Sequence, residues 1–219
     1  MKSLEQRLEE AVSLHGQGKI SEAVVVYNEI LDSDSRHIDA MQYLGVAKLQ
    51  TGESEDGVKL LKRVISINPR NSQAHYNLGL AWQNLGNKEK ALASFRRSIA
   101  IQPNSFEAQN AVAGILLEYP EKIKFAEAHV RSALKNNPRY APALNNLALL
   151  LQKTGRIEEA KKESRRAVAL DPQNGLNLST LGVILFESGN VGEAEEVLRE
   201  AVSFIPGDTD TLRNLAAVL

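Results

Sequence analysis

The chain contains no cysteine, which excludes a disulfide framework, a thiolate metal site and a cysteine nucleophile. Aromatic residues make up only 5% of its 219 residues, too few for a core of aromatic-rich strands. Neither sign of charge is in excess. Lys plus Arg number 26 against 27 Asp plus Glu, for a formal net charge of −1. That balance removes the long-range attraction a generic nucleic-acid or anionic-membrane binder uses. Long apolar runs are also missing. The longest span about five residues, such as 147–151, far short of the ~20 needed to cross a bilayer. The first residues, MKSLEQRLEEAV, carry acidic side chains where a secretory signal has an uninterrupted apolar stretch. No Pro-, Gly- or Ser-rich linker divides the chain. These absences predict a cytoplasmic protein with no nucleic-acid partner and no membrane insertion. Hydrophobic residues, at 43%, are sufficient for a buried core.

What is present is a period. Pro69, Pro103, Pro138, Pro172 and Pro206 are separated by 34, 35, 34 and 34 residues. Gly18, Gly52, Gly86, Gly155 and Gly189 keep the same step, with one repeat lacking the glycine. Small residues follow in register at Ala23, Gly57, Ala91, Ala126, Ala160 and Ala194, and a one-residue insertion near 120–123 accounts for the 35. Within residues 72–105, Ala74, Leu78, Ala81 and Trp82 recur at helical spacing, as do Ala91, Phe95 and Ile99. Gly86-Asn87 separates the two runs, and Pro103 stops the second. Each repeat therefore reads as two antiparallel helices of about 14 residues. Gly79 and Ala91 let their axes approach to about 8–10 Å. A single hairpin cannot cover its own apolar faces, so neighbours must stack.

With NLG in the first helix, GNKEKALASF across the turn and a closing proline, the repeat resembles the tetratricopeptide repeat. The resemblance runs along nearly the whole chain, as six full repeats at about 4–37, 38–71, 72–105, 106–140, 141–174 and 175–208, then a half repeat at 209–219. Ala11 replaces the helix glycine of the first repeat, Ser35 its terminal proline, and Pro120 the turn glycine of the fourth. The resemblance implies an all-α, right-handed superhelical solenoid, one domain over 1–219, whose first helices line a concave groove. It also implies that the groove takes an extended peptide or a partner helix.

Groove chemistry follows from the fifth, sixth and ninth repeat positions. The fifth and sixth hold Leu8-Glu9, Gln42-Tyr43, Tyr76-Asn77, Asn110-Ala111, Asn145-Asn146, Ser179-Thr180 and Arg213-Asn214; the ninth hold Val12, Val46, Leu80, Gly114, Leu149, Val183 and Ala217. The expected groove is a row of uncharged amides and hydroxyls beside an apolar strip. An Asn amide offers both a donor and an acceptor, so it can bridge the main chain of an extended peptide without reading its side chains. The expected peptide-binding residues are Tyr43, Tyr76, Asn77, Asn110, Asn145, Asn146 and Asn214. Their arrangement is similar to the asparagine ladder lining the repeats of O-GlcNAc transferases, interrupted here by Tyr43, Ala111 and Thr180. Surface compatibility explains a single Asn equally well, packing against neighbouring repeats accounts for Tyr43 and Tyr76 as readily as ligand stacking, and Trp82 reads as core. The two-carboxylate clamp for acidic chaperone tails is missing, since no fifth position is Lys and no ninth is Asn.

Charge is uneven along the chain. The first and sixth repeats carry 3 basic with 7 acidic and 1 with 6, while the third to fifth are net positive. Pairing such as Glu158 with Lys162 would make that positive surface a solvated outer face; the sharper alternative is end-to-middle self-association or an acidic partner there. His15, His37, His75 and His129 occupy unrelated repeat positions, without the spacing of a metal site. No nucleophile elbow, phosphate loop or dinucleotide fingerprint occurs. The expectation is a non-catalytic scaffold for a protein or peptide partner, without cofactor, metal or catalytic residue. Two alternatives stand beside it. One is a repeat domain that recruits substrate for a larger glycosyl-, sulfo- or methyltransferase. The other is a self-oligomerising assembly factor, with the half repeat's Leu212, Leu215 and Leu219 as the associating strip.

Overall fold

The computed structural model describes residues 2–219. Among them are thirteen α-helices and one 3-10 turn, with no strand. They fall into two compact units, Met1–Pro103 and Asn104–Leu219. The first unit holds α1 (Leu4–Gly16), α2 (Ile20–Ser33), α3 (Ile38–Gln50), α4 (Ser54–Ile67), α5 (Ser72–Asn84) and α6 (Lys88–Ile101). The second holds α7 (Phe106–Leu116), the 3-10 turn Pro120–Lys122, α8 (Ile123–Asn136), α9 (Ala141–Lys153), α10 (Ile157–Leu170), α11 (Gly175–Glu187), α12 (Val191–Phe204) and α13 (Thr209–Val218). In each unit a first helix pairs with the following second helix, and consecutive first helices lie side by side.

The helix ends are set by the periodic residues. At Gly18, Gly52, Gly86, Gly155 and Gly189 the turn takes φ of 71–82°, a left-handed geometry that costs an L side chain roughly 1–2 kcal/mol. The fourth repeat has no glycine there and turns differently. Its α7 stops at Leu116, and Pro120 opens a 3-10 turn that leads directly into α8. At the other end of the hairpin, the residue before each proline (Asn68, Gln102, Asn137, Asp171, Ile205) leaves helical geometry, as the proline ring requires. The first repeat lacks the proline, yet Asp34 is equally extended. Its Oδ1 accepts from the Arg36 backbone N–H at 3.0 Å, and Arg63 of the next repeat donates to the Ser35 carbonyl at 3.0 Å. The closing residue of a repeat then caps the next first helix. His37, Asn71, Ser105, Asn174 and Asp208 each accept from a backbone N–H in the first turn.

Packing inside the hairpin rests on one facing pair of positions. A Cβ added at Gly79 would overlap the Phe95 ring, one at Gly182 would lie 2.5 Å from Leu198 Cγ, and one at Gly45 would lie 3.1 Å from Leu61 Cγ. Where the first helix carries alanine instead, the facing residue is smaller: Ala113 with Val130, Ala148 with Ser164. The facing residue thus shrinks where the first helix gains a methyl group, as a close-packed interior requires. The exception is Ala11 with Tyr27. Between repeats, Met41, Val64 and Ala74 form one fully buried cluster, and Ala113, Val130, Ala148, Leu151 and Ile184 belong to another.

The outer helices are laced by ion pairs. Glu158 pairs with Lys161 rather than with Lys162, and Arg165 bridges to Glu193 of the following repeat at 2.7 Å. Glu127 takes both Arg131 and Arg156, which hold its carboxyl below the usual range against the opposing effect of partial burial. Trp82 is half-buried against Val58, Leu61, Leu78 and Ala81, with the Lys62 and Lys90 ammoniums 5.2 and 4.5 Å from its ring. Three buried polar atoms find no partner among the described residues: Asn177 Nδ2, in a residue 3% exposed, Ser164 Oγ and Asn145 Oδ1.

Two stability predictions follow from this packing. Gly79→Ala should lower the urea-unfolding free energy by about 1–3 kcal/mol. Adding Phe95→Val, which copies the Ala113–Val130 pair, should recover part of the loss; an additive loss contradicts the pairing. Asn177 stands where other repeats place the fully buried Ala40, Ala74 and Ala108. Asn177→Ala should therefore leave stability unchanged or raise it by on the order of 1 kcal/mol, because a desolvated amide without a partner is removed.

Candidate functional site

Three cavities lie on the first-helix faces of the two units, and two others in the second unit, of about 360 and 370 Å³, lie instead beside the second helices at Arg131, Lys135 and Arg166 and at the Pro120 turn. In the first unit, α1, α3 and α5 enclose one of about 470 Å³ lined by Val12, His15, Gly16, Tyr27, Gln42, Tyr43, Val46, Gln73 and Asn77. A second, of about 320 Å³, continues along α3 and α5 between Val46, Leu49, Gln50, Asn77, Leu80 and Asn84. In the second unit a cavity of about 430 Å³ lies against α9, α11 and α13, lined among others by Asn145, Leu149, Ser179, Thr180, Val183 and Asn214. Fifth, sixth and ninth repeat positions thus converge on one face in each unit, with apolar ninth positions beside amides and hydroxyls.

The large cavity of the first unit owes its shape to the Ala11–Tyr27 exception. Phe95 lies under Gly79 because no Cβ blocks it; Ala11 supplies that Cβ, so the Tyr27 ring cannot sit the same way. It is fully buried yet forms part of the cavity wall, stacked on Tyr43 with centroids 6.0 Å apart and planes at 12°. Its phenol lies 3.3 Å from His15 Nδ1, and His15 Nε2 lies 2.6 Å from Gln50 Oε1 in the next repeat. Gln50 Oε1 can only accept, so Nε2 carries the proton and the Tyr27 O–H donates to Nδ1. Burial, reinforced by Tyr43, pushes the Tyr27 phenol up to about 12.

The structure distributes the seven sequence-expected residues unevenly. Tyr43, 37% exposed, and Asn77, 5% exposed, line the first unit's cavity. Asn77 Oδ1 accepts from Gln73 Nε2 at 3.1 Å, leaving its own N–H groups directed elsewhere. Tyr76 packs on Phe95 with centroids 5.6 Å apart, outside the cavities of its unit. Asn146 donates to Asn110 at 2.8 Å, so these two amides form a linked pair across neighbouring repeats. Asn145 and Asn214 line the second unit's cavity, and Asn145 Oδ1 is buried without a partner among the described residues. Sequence reasoning missed Tyr27 and Gln73. The available signal was a phenol at a core position that holds Leu61, Phe95, Val130, Ser164 and Leu198 in the other repeats.

Comparison with known proteins bears on this geometry. Residues 39–71, 72–105 and 141–174 each match a family model described as the tetratricopeptide repeat. No curated protein sequence matches the chain. Among solved structures, a chain of the APC/C hetero-tetramer Cut9-Hcn1 is similar at a TM-score of 0.91 and 16% identity, over 99% of this chain and 43% of that one. This chain thus spans less than half of that protein's length. PilF of Pseudomonas aeruginosa is similar at a TM-score of 0.81 and 16% identity, over 98% and 97% of the two chains. YrrB, described as having an unusual peptide-binding site, is similar at a TM-score of 0.61 and 16% identity, over 88% and 98%. At these identities the structural likenesses establish the fold.

Tyr27→Phe should cost about 0.5–1.5 kcal/mol by urea unfolding, because His15 Nδ1 loses its donor. The same change should alter the imidazole resonances of His15 in NMR spectra. Unchanged resonances would show that the phenol does not hold the ring.

Proposed function

Starting from its membership of the tetratricopeptide repeat proteins, a protein-interaction scaffold, we propose that this chain binds an extended segment of a partner protein along its first-helix face, without catalysing a reaction. The carrying observation is the chemistry of that face: Gln42, Gln73, Asn77, Asn145 and Asn214 stand beside Val46, Leu80, Leu149 and Val183, and no Lys or Arg lines these three cavities. Uncharged amides suit the main chain of a peptide, whose N–H and C=O groups alternate along its length. An apolar strip one turn away accepts side chains in any order. Such a site reads shape and backbone more than sequence. The peptide-binding site ascribed to YrrB supports the reading by analogy of fold.

Each bridging hydrogen bond contributes about 0.5–1.5 kcal/mol net, and ordering the peptide offsets part of the sum. The expected affinity is on the order of micromolar. The test is a peptide array probed with wild type and with the combined Asn77→Ala, Asn110→Ala, Asn146→Ala variant. The variant should retain the wild-type helical content and lose roughly a hundredfold in capture, three amides at about 1 kcal/mol each. Equal capture by both proteins contradicts the reading.

A further inference from the structure

We propose that the 470 Å³ cavity of the first unit is the anchor point of the peptide site, and that it selects an aromatic side chain flanked by lysine or arginine. This inference rests on the groove reading above and adds the identity of the segment.

The cavity itself calls for an uncharged, flat, bulky occupant. Its walls offer no ionised group to a ligand. Both nitrogens of His15 are already engaged, and the phenol of Tyr27 faces His15. A charged side chain placed there would be desolvated without a counter-ion. Val12, at 36% exposure, and Tyr43, at 37%, are large apolar groups left uncovered by the chain itself. The Tyr43 ring is already fixed by stacking on buried Tyr27, so an incoming ring meets a rigid surface and little freedom is lost on docking. A volume of about 470 Å³ falls within the range of roughly 300–1,000 Å³ typical of ligand sites and leaves space for an indole or phenol.

Amides on the cavity wall are poised for the main chain on either side of that ring. Gln42 accepts from Asn71 through Oε1, so its NH2 group remains free to donate. Gln73 donates to Asn77, so its own carbonyl remains free to accept. The two together match one N–H and one C=O of an extended backbone.

Beyond the cavity, the same faces of α1 and α3 turn acidic toward their N-termini. Glu5 and Glu9 precede Val12 by two turns and one on the same face of α1, and Asp39 precedes Gln42 and Tyr43 by one turn on α3. All three are exposed, and their side chains make no hydrogen bond or ion pair among the described residues. Nearby cations are committed elsewhere, Lys2 to Glu10 and Arg7 to Glu29. Three unneutralised carboxylates on these faces attract a cationic segment and repel an anionic one. This is the opposite preference to that of a repeat array that grips acidic tails.

The test uses the full chain and fluorescein-labelled Ser/Ala-rich peptides with a central Lys-Trp-Lys, Lys-Ala-Lys or Glu-Trp-Glu, read by fluorescence anisotropy. Lys-Trp-Lys should bind about tenfold or more tighter than Lys-Ala-Lys, since an anchor in a pocket carries most of the affinity. It should also bind several-fold tighter than Glu-Trp-Glu at about 0.05 M salt, the gap closing by about 0.5 M. Tyr43→Ala should remove the preference for Trp. Val12→Trp, which fills the cavity without deleting core atoms, should do the same in a protein of unaltered stability. Glu5→Gln, Glu9→Gln and Asp39→Asn combined should remove only the charge preference. Equal binding of Lys-Trp-Lys and Lys-Ala-Lys, or tighter binding of Glu-Trp-Glu, overturns the inference. So does competition by free N-acetyl-tryptophanamide as strong as by the peptide, because the site would then read a small aromatic molecule. An unbiased peptide-display selection separates this inference from the reading beneath it. Binders that need the three asparagines but lack the aromatic-basic pattern overturn the anchor alone. A selection yielding no binder that depends on the groove overturns both.

Discussion

The contact between one small position on the first helix and one large position on the second governs the rest of the molecule. Gly79 with Phe95 and Gly182 with Leu198 let two helices close on each other with no room for a methyl group, and at Gly45 a Cβ would meet Leu61 at a tight 3.1 Å. Ala113 with Val130 and Ala148 with Ser164 set the extra methyl group opposite a smaller partner. An interior packed to crystal density tolerates little change of volume at such a point. Because the hairpin is rigid there, the fifth, sixth and ninth residues of each first helix emerge at fixed angles. The shape of the first-helix face is thus a by-product of core packing in the hairpins.

Where the pairing rule is broken, the surface changes. Ala11 faces Tyr27, a larger residue than any it could cover, and the displaced ring becomes a wall of the largest cavity on the first-helix face of its unit. The ring brings a buried hydroxyl with it, and His15 and Gln50 satisfy that hydroxyl in a short chain linking two neighbouring repeats. The polar atoms here are consumed by one another, leaving a site that is apolar in the middle and amide-rich at its margin. In the second unit no such intrusion occurs. Its face is shaped instead by amides and hydroxyls, with Asn110 and Asn146 joined to each other, Thr211 donating to Asp208 at 2.6 Å and Ser179 donating to Thr211 at 2.9 Å.

The repeat and the helix ends were legible in the sequence because each depends on local rules. A proline forces the preceding residue extended, a glycine takes the left-handed turn, and a side chain before the helix caps it. What was hidden depended on partners far along the chain. The turn at Pro120 required knowing how early α7 would stop. The ion pair of Glu158 goes to Lys161, one residue from the expected Lys162, a choice between rotamers that spacing alone does not rank. Tyr76 leans on Phe95 because Gly79 leaves that ring where it is. The mutual bond of Asn110 and Asn146 spans two repeats. Asn177, buried with an unpartnered amide where sibling repeats have alanine, follows no rule of fold or site found here.

The central claim is that the amide-lined first-helix face receives a partner's backbone. Side-chain amide NMR of the chain titrated with a bound peptide examines it most directly. The account predicts that the NH2 resonances of Gln42, Gln73 and Asn77 shift first and furthest, while amides on the outer helices stay in place. Shifts concentrated on the outer ion-paired surface around Arg165 and Glu193, with those three unmoved, would contradict it.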